Sequence, residues 1–169
     1  MIYPVVKYGQ KVLETPAAPV RVFDGDLEKL VADMFETMYA ANGVGLAAPQ
    51  IGISKRLCVI DLASAEKPEG KLVLANPVIL ETEGKEVLDE GCLSLPEFRA
   101  GTTRPKRVTV RAQDLRGKEF TMTGEGLLAR AFCHETDHLN GVLFIQHLSM
   151  LKRDSIKRRV RKLMKAGEW

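Results

Sequence analysis

Histidine and cysteine are both scarce in this 169-residue chain, three of each, and no apolar run approaches the roughly 20 residues that a membrane-crossing helix needs. No membrane-crossing helix is expected. The opening stretch MIYPVVKYGQKVLETP lacks a basic start followed by an apolar block, so no secretion signal is read and a cytoplasmic location is expected. Three cysteines, Cys58, Cys92 and Cys133, form an odd set without close pairing, which speaks against a disulfide framework and fits a reducing compartment. Cys58 lies in the apolar run Leu57-Cys58-Val59-Ile60 and reads as a small buried hydrophobe. Cys92, between Gly91 and Ser94, reads as a turn or strand end, where packing explains it less well.

No internal repeat, low-complexity stretch or linker interrupts the chain, and 45% hydrophobic residues suffice for a real core. One catalytic domain over residues 1–169 is the expectation. Asp24 or Asp26 can cap a helix whose apolar residues Leu27, Leu30, Val31, Met34, Phe35 and Met38 recur at helical spacing until Asn42-Gly43 stops it. Leu57 to Leu62 and Leu72 to Leu74 read as strands, and Val78 to Leu80 extends the second beyond Pro77. Residues 108–112 and 119–122 flank Asp114-Leu115-Arg116-Gly117 as a hairpin. A second helix is expected over 126–139, closed by Asn140-Gly141 and apolar on more than one face, hence buried. A third is expected over about 149–167, with Ile156, Val160 and Leu163 as its apolar stripe. The fold class is therefore α+β, with small antiparallel or mixed sheets wrapped around the second helix.

Two of the three histidines fall in one pentapeptide, His134-Glu135-Thr136-Asp137-His138. On a helix, i and i+4 share a face, so both imidazoles can reach one metal ion while Glu135 projects beside them as a base for water. A solvated helix that merely carries the pattern, and a zinc endopeptidase built on HExxH alone, remain open at this point. Two further segments stand out: Gly43-Val44-Gly45-Leu46-Ala47-Ala48-Pro49-Gln50 and Glu90-Gly91-Cys92-Leu93-Ser94-Leu95-Pro96. The first is no phosphate loop, because no Lys-Ser/Thr follows it. Its small residues suit close approach of backbone to a ligand or another element.

Together, and in this order, the three segments resemble the signature motifs of the peptide deformylase family of bacterial type, which removes the formyl group from the N-terminal formyl-methionine of nascent proteins. The resemblance extends over nearly the whole chain. It implies Cys92, His134 and His138 as metal ligands, a fourth tetrahedral position left for water, and Glu135 as the base. Gln50, through its side-chain amide, and the Leu93 backbone N–H are the implied donors to the oxyanion. The implied cofactor is one divalent metal ion, ferrous iron in cells, with zinc, nickel or cobalt able to replace it. Gly45 is expected to pair with the N-formyl-methionyl peptide as a strand does, and Val44, Leu127, Ala131 and the stem of Arg99 to form the methionine slot. One departure from the pattern is Cys133, where glutamine commonly precedes the first histidine. Glu90 and Asp137 are candidates to hydrogen-bond the ligand imidazoles, and His147 is read as a bystander.

Of the 25 basic and 22 acidic residues, eight and two fall within 152–169, leaving 17 and 20 elsewhere. A mildly acidic body thus carries a strongly basic tail. The resemblance implies ribosome contact through Lys157, Arg158, Arg159, Arg161 and Lys162, against the plain alternative of a solvated helix face.

Overall fold

The computed structural model describes residues 1–62 and 70–169, and its architecture is α+β. Helix α1 spans Gly25–Ala40, capped by Asp24, whose carboxylate accepts from the Leu27 N–H at 3.1 Å. Strands β1 (Gly45–Ala47), β2 (Leu57–Asp61) and β3 (Lys71–Glu83) follow, with a short 3-10 turn at Ala48–Ile51 between the first two. Next come β4 (Glu86–Cys92), β5 (Leu95–Arg104), β6 (Arg107–Gln113) and β7 (Glu119–Glu125). Helix α2 covers Leu127–Leu139, and α3 covers Met150–Lys165 behind its cap Ser149. Each helix sits where its periodicity and stop signals place it.

One sheet has five strands in the order β1-β2-β3-β6-β7, and the other is the β4-β5 hairpin. All neighbours among these strands are antiparallel, so the mixed option drops out; the sole parallel contact among the described residues is a bridge between Ala18 and Lys55. The two apolar runs around Pro77 are one strand, β3, whose pairing with β6 slips between Ala75 and Val78. Asn76 there has φ 50°, and this bulge accommodates a proline that has no N–H to donate. The β4-β5 hairpin has no counterpart among the elements expected from sequence.

The unbroken apolar run of β2 has a direct cause, because both faces of the larger sheet are covered. Cys58 and Ile60 point to α2, packing with Phe132 and Leu139, while Leu57 and Val59 pack with Val31, Met34 and Met38 of α1. Alternate residues of a strand face opposite sides, so a helix on each side demands hydrophobes at every position. Each such side chain contributes roughly 1.5–3 kcal/mol by leaving water. A third core joins Ile156 and Val160 of α3 to Leu95 and Phe98 of β5, with Cys92 packed against it. The last residue of β4 is thus set between a helix on the sheet and a helix at the surface.

Candidate metal and catalytic site

Helical spacing brings His134 and His138 side by side on α2, and the end of β4 brings Cys92 to them. Cys92 Sγ lies 3.3 Å from His138 Nε2, which lies 3.2 Å from His134 Nε2. All three candidate ligand atoms fall within 4.8 Å of one another. Two nitrogens held tetrahedrally about 2.05 Å from one ion are about 3.3 Å apart, and such a nitrogen and a thiolate sulfur are about 3.6 Å apart. The cluster therefore has the dimensions and the donor set of a three-ligand metal site.

Glu90 fixes how His134 presents itself. Its Oε2 lies 2.7 Å from His134 Nδ1. Burial pushes the Glu90 carboxyl up, but hydrogen bonds from His134 and Arg104 outweigh it and hold the group far below its usual range. An ionised carboxylate only accepts, so Nδ1 donates and Nε2 faces the cluster. Burial pushes the His134 pKa down, but the Glu135 charge and a hydrogen bond with Cys92 outweigh it and hold it well above its ordinary value, so a metal ion binding there displaces a proton from Nε2. For His138, burial and then the neighbouring His134 push the pKa well below its ordinary value, which keeps that imidazole neutral and able to coordinate.

Glu135 is 4% exposed and lies directly against β1. A Cβ built on Gly45 would come 2.6 Å from Glu135 Oε2, so only glycine admits the carboxylate there. That is the close approach anticipated for the glycine-rich segment. Glu135 Oε1 is buried without a protein partner, and burial, opposed by the His134 and Arg104 charges and reinforced by Glu90 and Asp137, raises the pKa to about 7. Such a carboxyl is poised to accept and return a proton near neutrality.

Gln50 is nearly inaccessible, on the 3-10 turn after β1. Its Oε1 accepts from the Ala47 N–H at 3.0 Å, which aims its Nε2 at Ser94 Oγ (3.2 Å) and Cys92 Sγ (3.6 Å). Leu93 and Ser94 form the turn from β4 to β5. A cavity of about 530 Å³ opens here, lined by Gln50, Cys92, Leu93, His134 and Glu135 and also by Val44, Gly45, Arg99, Leu127 and Ala131. His138 alone of the expected site residues lies behind the lining. The stem of Arg99 crosses Gly91, whose added Cβ would meet Arg99 Cγ at 3.3 Å, and its exposed head donates to Asp89 at 2.6 Å.

Two expectations change, and the part played by the departing residue Cys133 becomes visible. Asp137 does not reach a ligand imidazole; it accepts from Arg104 Nη1 at 2.6 Å and pairs with His147 Nε2 at 2.8 Å, because it projects from α2 to the side of the histidine face. His147 is exposed but has partners, so it is no bystander. Cys133 is buried against the sheet, and burial pushes its thiol up to about 11, so it is no thiolate competitor for the site.

Sequence reasoning missed Arg104 and Arg130. Arg104 grips both Glu90 oxygens, Nη2 to Oε2 at 2.8 Å and Nε to Oε1 at 3.2 Å. Arg130 donates to Glu90 Oε1 at 2.7 Å and to the Thr102 carbonyl at 2.9 Å. For Arg130 a signal existed, since it precedes His134 by one helical turn on the same side. For Arg104 there was none, because it is one of three arginines and lysines in Arg104-Pro105-Lys106-Arg107 and only the folded chain shows which is buried.

Comparison with known proteins finds relatives over the whole length of the chain. The family described as polypeptide deformylase matches residues 2–154. The peptide deformylase of Acidobacterium capsulatum is 59% identical over 169 residues, covering 100% of this chain and 99% of that protein. The crystal structure of a peptide deformylase from Legionella pneumophila superposes with a TM-score of 0.90 at 45% identity, covering 99% of this chain and 98% of that one. The peptide deformylase of Thermus thermophilus gives 0.88 at 43% identity over 96% of this chain and 95% of its own.

Proposed function

This chain belongs to the peptide deformylase family, metalloenzymes that hydrolyse the formyl amide of N-terminal formyl-methionine on nascent polypeptides, and we propose that Cys92, His134 and His138 hold its metal ion. The observation that carries this assignment is the convergence of one sulfur and two imidazole nitrogens within 4.8 Å, beside a buried carboxylate. The metal, when bound, supplies Lewis acidity that activates water and polarises the formyl carbonyl. Ferrous iron is the ion we assign, with zinc, nickel or cobalt as substitutes, since a thiolate with two imidazoles suits each of them.

Glu135 takes the proton from water and returns it to the departing amine. The Gln50 amide, held by Ala47, and the Leu93 N–H face the negative charge that develops on the formyl oxygen. β1 is an edge strand, paired only with β2, and its free edge borders the cavity. The peptide therefore adds along Gly45 as a strand, through main-chain hydrogen bonds that tolerate many sequences. Val44, Leu127, Ala131 and the Arg99 stem enclose the methionine side chain.

Residues 1–169 act as one catalytic unit in the cytoplasm, where nascent chains emerge. Lys157, Arg158, Arg161 and Lys162 on α3 meet ribosomal RNA, and Arg159 adds charge to the same face. Binding to ribosomes should weaken steeply with salt; a flat salt dependence would count against docking by charge. Anaerobic purification with elemental analysis and an assay on formyl-Met-Ala-Ser tests the metal assignment. One equivalent of iron and air-sensitive activity are expected, and full activity with zinc as the only metal present would overturn iron.

A further inference from the structure

The family match ends at residue 154, yet α3 continues to Lys165 and the chain then folds back on the cavity wall. Phe98 lines the cavity on one side and belongs to the α3 core on the other. Behind its ring, the Arg159 guanidinium carbon stands 5.0 Å from the centroid, and Trp169 meets it edge-on at 6.0 Å and 65°. Trp169 is itself anchored. Gly167, with φ 71°, turns the chain, the Glu168 N–H donates to the Leu163 carbonyl at 2.8 Å, and Trp169 Nε1 donates to the Tyr8 carbonyl at 2.7 Å.

The wall needs this support. β4 and β5 pair Gly91 with Arg99 and then Cys92 with Leu95, so Pro96, Glu97 and Phe98 bulge from the ladder without cross-strand partners in register. Glu97 has φ 70°, a left-handed conformation that a non-glycine residue adopts only when its surroundings impose it. A segment lacking ladder bonds and carrying strain is held by what packs on it. Here the packing comes from α3 and the residue beyond it.

We propose that Arg159 and Trp169 are positioning residues for substrate binding, acting through Phe98 to hold the outer wall of the cavity. The tail helix thus serves the peptide site as well as presenting a basic face. This inference rests on the reading of the cavity as the seat of the formyl-methionyl peptide. It assigns Arg159 a role distinct from its charged neighbours, because among the described residues it alone of the five stands over an aromatic ring.

Steady-state kinetics of the metal-loaded enzyme on formyl-Met-Ala-Ser test it with four variants. Arg159→Met keeps the stem and loses the cation, Arg159→Lys keeps a cation, Trp169→Leu removes the edge contact, and Ala131→Ile fills the cavity directly. Arg159→Met and Trp169→Leu should raise KM roughly three- to tenfold with kcat within about twofold, and Arg159→Lys should restore most of the loss. Metal content should be unchanged throughout, and Ala131→Ile should raise KM more than either. An unchanged KM in Arg159→Met and Trp169→Leu, beside a raised one in Ala131→Ile, overturns the inference and leaves the cavity reading standing. An unchanged KM in all three overturns both. A joint fall of kcat, metal content and thermal stability, without rescue by lysine, reduces the contacts to plain packing and overturns a positioning role.

Discussion

Helices α2 and α3 both carry charged side chains and use them in opposite ways. α2 buries Arg130, Glu135 and His138 among the sheets, each charge answered by a partner or reserved for chemistry. α3 buries only Ile156 and Val160 and leaves nearly all its charges in water. A charge inside costs several kcal/mol unless paired, so the interior of α2 is tightly specified, whereas a charge outside is nearly neutral to folding. The difference teaches that the chemistry of this fold depends on where a charge is placed, and that distant strands decide the placement.

The strongest way to break the comparison is Glu135→Gln, which keeps shape and removes the base. kcat/KM should fall roughly 10²- to 10⁴-fold on formyl-Met-Ala-Ser while elemental analysis shows the metal retained. Loss of metal together with activity would move Glu135 from chemistry to ligation. Next is Glu90→Gln. Arg104 and Arg130 would lose their shared counter-charge in a buried site, at a cost of about 3–5 kcal/mol in denaturant unfolding. Metal affinity should fall roughly 10- to 100-fold, because the His134 ring loses its anchor. A variant as stable as the parent would show that the two guanidiniums find other acceptors.

How much of this was legible in the chain follows the same division. α1 and α3 could be read from spacing, caps and stop signals, because a surface helix writes its buried face in one local pattern. The HExxH stripe of α2, Cys92 and Gln50 could be read as candidates through motif order. The β4-β5 hairpin could not, since Val87 and Leu88 are exposed while Glu90, Thr102 and Arg104 are buried, which inverts the pattern a half-buried strand should show. That inversion exists because this part of the hairpin faces a buried polar network, while Leu95 and Phe98 near its turn pack into an apolar core. The roles of Arg104 and His147 live in contacts across 33 and 10 residues to Asp137, and no local signal reports them.

A smaller effect sharpens the interior side. Burial raises the Glu135 carboxyl to about 7, and positive charge in the adjoining cluster can only lower it again. The ionised form is the base, so kcat/KM should lose tenfold per pH unit on the acid side of a midpoint lying at or below 7. A pH profile of the metal-loaded enzyme between 5 and 9 measures it. A midpoint clearly above 7 would mean that some group other than Glu135 limits the acid side.

The smallest effect belongs to α3. Substituting Lys157, Arg158, Arg161 and Lys162 together by glutamine removes four charges from a mostly exposed face but leaves Ile156, Val160, Arg159 and Trp169 in place. Glutamine is nearly as good a helix former as the residues it replaces, and exposed charges contribute about 0–1 kcal/mol each way. Unfolding free energy should therefore shift by no more than roughly 0.5–1 kcal/mol, and kcat/KM on the free peptide by less than about twofold. Ribosome co-sedimentation, by contrast, should weaken markedly and lose much of its salt dependence. Should peptide hydrolysis fall as well, the charged face would be coupled to the cavity directly, and the separation between a chemical interior and an electrostatic exterior would fail at α3, where Arg159 already bridges the two.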